Sequence, residues 1–118
     1  MAVIETSELR KIIDSKREYV LIDVRNDDEL NYGMIPTAVH LCLQDFSEAF
    51  DLDDNSFFDK YKFKKPSKSK LIIVYCRTGS RSGVAEEYLK NKGYNARNYK
   101  GSVKEWSLID KNVKMYGF

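Results

Sequence analysis

Residues 71–75 read Leu-Ile-Ile-Val-Tyr, an apolar and partly β-branched run, and it breaks at once into Cys-Arg-Thr-Gly-Ser-Arg-Ser-Gly. The run reads as a strand and the small polar residues after it as a tight loop. The pattern then becomes helical over 82–92, with Val84, Ala85, Tyr88 and Leu89 on one face, Glu86 and Lys90 as an i,i+4 pair on the other, and Gly93 as a stop. A strand, a short loop and a helix in that order make half of a parallel crossover unit.

The same alternation runs through the rest of the chain. Thr6 or Ser7 can cap a first helix with Leu9, Ile12 and Ile13 on one face, ahead of a strand over 19–23. Asp27, Asp28 and Glu29 suit the first turn of a short helix, where negative charge is favoured. Gly33 and Pro36 punctuate a turn before a short strand at 38–41, and a further strand is predicted at 96–99. Ser102 and Glu105 fit a capping box before a last helix that turns Trp106 and Ile109 inward. Strands alternating with helices predict a parallel α/β sheet covered on both faces. Ligands of such sheets bind at the carboxyl ends of strands, where Cys76 falls.

Residues 44–70 are less regular, acidic at first (Asp45, Glu48, Asp51, Asp53, Asp54) and then basic (Lys60, Lys62, Lys64, Lys65, Lys68, Lys70). Phe46, Phe50, Phe57, Phe58, Tyr61 and Phe63 are too many aromatics for a disordered linker, so one or two short helices laid on the sheet are expected. The lysines read as a solvated face.

At 118 residues the chain is expected to form a single domain over 1–118 and to act as a monomer. No apolar run approaches the ~20 residues of a membrane span, and Met-Ala-Val-Ile-Glu-Thr-Ser-Glu-Leu-Arg is not a signal-like start, so a cytoplasmic protein is expected. A net charge of +2 gives no case for nucleic acid or membrane partners. Two cysteines and a single histidine at scattered positions give no metal spacing, and free thiols are expected.

Cys76 carries the chemistry. Loop N–H groups, the positive end of the following helix, and Arg77 and Arg81 can together stabilise a thiolate. Such surroundings lower a cysteine pKa from ~8.5 to roughly 3.5–7.5, which makes the thiolate the main form at neutral pH. Cys76 is therefore the candidate catalytic nucleophile. Loop length then separates two chemistries. A cysteine phosphatase needs Cys-x5-Arg to ring a tetrahedral phosphate, whereas Arg81 closes a six-residue loop and Ser82 stands at the phosphatase position. The smaller cradle suits one extra sulfur atom on Cys76.

Cys-Arg-Thr-Gly-Ser-Arg-Ser, Leu-Ile-Asp-Val-Arg-Asn-Asp-Asp-Glu-Leu followed by Gly-Met-Ile-Pro-Thr-Ala-Val-His-Leu, and Lys-Gly-Tyr-Asn-Ala-Arg-Asn-Tyr-Lys-Gly-Ser-Val-Lys-Glu-Trp together resemble the rhodanese-like sulfurtransferases over about residues 4–107. Phe57-x-x-x-Tyr61, Lys65-Pro66 and Ala-Arg-Asn-Tyr at 96–99 are similar to the small thiosulfate:glutathione enzymes of that family. The resemblance implies a five-stranded parallel sheet and a ping-pong reaction. Thiosulfate would charge Cys76 with a persulfide, and a thiol acceptor such as glutathione or a thioredoxin-like protein (cyanide in vitro) would discharge it. Arg77 and Arg81 would attract the dianion, and Thr78, Gly79 and Ser80 would supply loop donors, with Gly79 taking a backbone angle that a Cβ hinders. No cofactor and no metal are implied.

The alternatives are a persulfide carrier or a protein-interaction module, and, less favoured by the loop count, a phosphatase or arsenate reductase. Met34, Thr37 and Ser102 depart from the family's usual residues, and by sequence position they bear on local turns without touching the cysteine loop. Cys42 reads as a core residue, His40 as a structural histidine, Trp106 as a core anchor, and Asp23, Arg25 and Glu29 as an ion-pair network under the loop.

Overall fold

The computed structural model describes residues 3–15 and 17–117. Helix α1 (Thr6–Asp14) precedes strand β1 (Tyr19–Asp23), a 3-10 turn (Asp27–Tyr32) and strand β2 (Val39–His40). The aromatic middle folds into two short helices, α2 (Phe46–Ala49) and α3 (Asp54–Tyr61). Strand β3 (Leu71–Tyr75), helix α4 (Ser80–Asn91), strand β4 (Asn95–Asn98) and helix α5 (Ser102–Trp106) complete the order.

The strands pair in the order β2-β1-β3-β4, all parallel. Strand β3 is central, and its register sets Asp23 beside Tyr75 and Val74 beside Asn98. Its side chains alternate between two cores, as the pleat requires. Ile72, Val74 and Cys76 face α4 and the aromatic middle, packing with Ala85, Leu89, Phe46, Phe50 and Phe57. Ile73 and Tyr75 face Leu9 and Ile12 of α1, Val103 and Trp106 of α5, and the C-terminal Val113 and Tyr116. Each fully buried aliphatic or aromatic side chain here contributes ~1.5–3 kcal/mol. Cys76 continues the strand's alternation, so the sulfur is aimed at the start of α4.

The described sheet has four strands where the resemblance implied five. On β4 the Asn98 N–H donates to the Glu86 carboxylate instead of to a further strand (3.1 Å). Helix α4 starts at Ser80, two residues before its expected start, and its buried stripe is Ser82, Ala85 and Leu89, with Val84 left exposed. Thr6 does not cap α1; its hydroxyl sits 2.7 Å from the Tyr99 hydroxyl and donates to Glu105. Ile109 is exposed while Trp106 is buried, because α5 ends at Trp106. Lys65 leaves the solvated lysine face to donate to the Phe50 and Leu52 carbonyls, which tethers the end of the aromatic segment.

Candidate functional site

Two strand ends and two helix starts converge on Cys76. Its N–H donates to the Ser102 hydroxyl (3.1 Å) and its carbonyl accepts from the Val103 N–H (3.1 Å). The Lys104 N–H takes the Arg77 carbonyl (3.0 Å), so first-turn donors of α5, which have no partner within their own helix, anchor the loop instead. Ser102 holds a left-handed backbone (φ 55°) and its hydroxyl also donates to the Tyr99 carbonyl (2.9 Å). That residue, expected to affect a turn alone, directly fixes the cysteine backbone. Thr37, another of the residues that depart from the resemblance, is left-handed too (φ 73°).

From this anchored start the loop folds back over the sulfur. The Gly79 N–H lies 3.1 Å from Sγ, the Ser82 N–H 3.5 Å and the Ser82 hydroxyl 3.4 Å. Burial pushes the thiol pKa up, but the Ser82 hydroxyl, then the N–H groups of Ser82, Gly79 and Thr78, outweigh it and hold the group below its ordinary value. Amide donors thus act as the sequence predicted, and the Ser82 hydroxyl, which the sequence reading did not name, leads them. Gly79 holds φ 101°, and a Cβ there would fall 2.5 Å from the Lys100 carbonyl oxygen, so glycine lets the loop pass that close. Ser80 opens α4 with an exposed side chain, and Thr78 is exposed on the rim. Cys76 itself is 0% exposed.

The arginines face carboxylates and the C-terminal segment. Arg81 grips Glu29 through two parallel bonds (2.6 and 2.8 Å). Glu29 also accepts from the Asn26 N–H (3.0 Å) and the Tyr116 hydroxyl (2.7 Å). Arg81 first, with Tyr116 and the Asn26 N–H adding to it against the effect of burial, holds its carboxyl down at about 2. Arg77 donates to the Tyr116 carbonyl (2.8 Å) and lies 5.5 Å from the centre of its ring. The expected network of Asp23, Arg25 and Glu29 holds two ion pairs, joined through the Tyr116 hydroxyl and the Glu29 carbonyl. Asp23 and Arg25 form a fully buried pair (2.7 Å), with Arg25 also bonded to the Gly33 and Glu29 carbonyls and to the Tyr116 hydroxyl. The Glu29 carboxylate instead serves Arg81.

Acid stability follows from Glu29. Its folded value lies below the ordinary 4.5, so its contribution is complete above pH about 4.5 and drains away as pH falls toward about 2. Urea midpoints measured from pH 6 down to pH 2.5 should fall steeply for the wild type and more shallowly for Glu29→Gln; parallel curves would refute the assignment.

The remaining candidates are structural in their contacts. Cys42 is buried and donates to the Asn26 side chain (3.2 Å), and the His40 Nε2–H donates to the Arg25 carbonyl (2.6 Å). Among the described residues no group of three or more His, Cys, Asp or Glu could hold a metal. Among the described residues no helix is long and apolar enough to cross a membrane. A cavity of about 320 Å³ adjoins the loop at Thr78, with Lys100, Lys104, Glu5 and Glu105 on its walls. A larger one of about 760 Å³ opens at the start of β1, beside Tyr19, Phe63 and Lys64, at the opposite end of the strands from Cys76.

Sequence reasoning missed Ser82 as a donor, Tyr116, and the reach of Ser102. For Ser82 a signal existed: it lies six positions after Cys76, in the first turn of the helix aimed at the sulfur. Tyr116 carried no motif.

A cysteine sulfur ringed by N–H and hydroxyl donors at the carboxyl end of a central parallel strand defines a class of α/β protein, and comparison gives the family. The family model for the rhodanese-like domain matches residues 5–108, and the chain belongs to that family. A mitochondrial relative in Schizosaccharomyces pombe is 45% identical over 89 residues, covering 75% of this chain and 63% of the relative. The human thiosulfate:glutathione sulfurtransferase is 32% identical over 101 residues, covering 84% of this chain and 87% of that protein. The solved human single-domain sulfurtransferase TSTD1 superposes with a TM-score of 0.88 at 28% identity, covering 93% of this chain and 98% of that one. The chain therefore spans less than two thirds of the fission-yeast relative and nearly all of the human structure.

Proposed function

We propose that this chain is a thiosulfate sulfurtransferase that works through a persulfide on Cys76 and passes its sulfur to glutathione. The observation that carries this reading is the convergence of the Gly79 and Ser82 donors on one sulfur atom. The Cys76 thiolate attacks the outer sulfur of thiosulfate. A sulfur–sulfur bond forms to the protein, the one inside thiosulfate breaks, and sulfite leaves with the electron pair. The loop donors then hold the persulfide anion, and the positive charge of Arg77 and Arg81 favours arrival of the dianion. A glutathione thiolate attacks the outer sulfur, leaves as the glutathione persulfide, and restores the Cys76 thiolate. The name of the human thiosulfate:glutathione relative supports both donor and acceptor, and the solved human structure supports sulfur transfer.

The cavity beside Thr78 is the acceptor's approach. Lys100 and Lys104 can meet carboxylates there, and Glu5 and Glu105 an ammonium group, which matches a thiol carrying both. Protein incubated with thiosulfate should gain one sulfur atom on the Cys76 peptide by mass spectrometry and lose it to glutathione. An adduct on Cys42, or none, overturns the reading. Lys100→Glu with Lys104→Glu should raise KM for glutathione roughly tenfold, on the scale of one charge-assisted contact, with a smaller change for cyanide. Equal changes for both acceptors would remove the cavity from the reaction.

A further inference from the structure

The family match ends at residue 108, yet Tyr116 lies against Arg77 and against Glu29, the ion-pair partner of Arg81. The segment after α5 turns back through Asp110 and Val113, and Val113 and Tyr116 insert into the core on the α1 and α5 side of the sheet. The Tyr116 ring stacks on Tyr32 at 4.3 Å, and the Lys114 N–H donates to the Tyr32 carbonyl (2.8 Å). Its hydroxyl accepts from Arg25 (3.1 Å) and donates to Glu29 (2.7 Å), on the carboxylate oxygen that also takes Arg81 Nη2. Its carbonyl and ring hold Arg77. One residue outside the matched segment thus touches Arg77 directly and Arg81 through Glu29. Arg81 in turn feels the charge of the Cys76 thiolate.

We infer that Tyr116 is a positioning residue for the reaction, holding the Arg77 and Arg81 guanidinium groups so that their charge falls on an anion approaching Cys76. This rests on the reading of Cys76 as the reacting sulfur. The geometry supports it because each contact constrains a guanidinium rather than the sulfur. Arg77 is held on two sides, by a carbonyl and by a ring face, which together fix both the position and the tilt of its plane. Without Tyr116, Glu29 keeps Arg81 but loses one of its donors, and Arg77 loses the ring that orients it.

Alkylation of Cys76 by iodoacetate and by iodoacetamide, followed by mass spectrometry of the Cys76 peptide, tests this. The two reagents share a leaving group and differ in charge, so the ratio of their rates reports the field at the sulfur. General loosening of the loop changes both rates together. For Tyr116→Leu the iodoacetate-to-iodoacetamide ratio should fall roughly tenfold, the scale of one charge-assisted contact, and KM for thiosulfate should rise with it. Tyr116→Phe keeps the ring over Arg77 and loses the hydroxyl to Glu29 and Arg25, so its ratio should lie between those of Tyr116→Leu and the wild type. An unchanged ratio in a folded Tyr116→Leu protein overturns the inference, whether or not the rates themselves move. Should Tyr116→Leu not fold, the ratio in Tyr116→Phe decides, and a wild-type value overturns it. A wild type in which Cys76 resists both reagents would instead refute Cys76 as the reacting sulfur, a separate and recognisable failure.

Discussion

Cys76→Ser should abolish both the sulfur adduct and turnover, lowering the rate by at least ~10³-fold, since a serine hydroxyl is a far poorer nucleophile than a thiolate. Cys42→Ser should keep most of the activity, because Cys42 is buried with its thiol bonded to Asn26 and has no bond to the cysteine loop to lose. Sulfite release in a single turnover should rise with pH as the thiolate forms and level off below the ordinary cysteine value of 9.0, because the Cys76 pKa is lowered. Ser82→Ala should move that rise to higher pH, since the Ser82 hydroxyl leads the contributions that lower it. A dead Cys42 variant beside an active Cys76 variant would reverse the assignment.

The strands and the cysteine loop were legible because local pattern and tertiary role agree. Leu71–Tyr75 is apolar throughout because both of its faces are covered, and Gly79 marks a turn that a Cβ would block. The aromatics at 46–63 announced a packed segment for the same reason: Phe46, Phe50 and Phe57 have no other way to leave water. Other features depend on contacts between distant parts of the chain. Ser102 looks like a helix cap from its spacing to Glu105, but its left-handed backbone turns the hydroxyl to the Cys76 N–H, a partner 26 positions away. Val84 fits an apolar helical stripe, yet α4 faces the sheet with Ser82, Ala85 and Leu89, so Val84 is left in solvent. Glu29 was grouped with Asp23 and Arg25 by proximity in sequence; the 3-10 turn carries its carboxylate to Arg81, 52 positions on. Tyr116 gave no signal because its partners are spread from residue 25 to residue 77.

Inserting one residue between Gly79 and Ser80 should convert Cys-x4-Arg into Cys-x5-Arg and change what the loop holds. The insertion point separates two sets of donors: Thr78 and Gly79 lie before it, and the Ser82 N–H and hydroxyl lie after it at 3.5 and 3.4 Å from the sulfur. Advancing α4 by one position carries Ser82 away from Sγ and brings Arg81 to the place from which Ser82 donates. A single sulfur then loses its hydroxyl donor, while a wider ring of N–H groups closed by a guanidinium fits a tetrahedral oxyanion. Sulfurtransfer should fall about 100-fold, the loss expected for two donors worth roughly 1–1.5 kcal/mol each. Inorganic phosphate should become an inhibitor of Cys76 alkylation where it has no effect on the wild type. Near-ultraviolet circular dichroism would establish that the variant is folded, since Tyr75, Tyr99 and Trp106 pack beneath the loop. Full thiosulfate activity in that folded variant would show that loop length does not decide between a persulfide and a phosphate, and the main physical reason for separating this chain from the cysteine phosphatases would be lost.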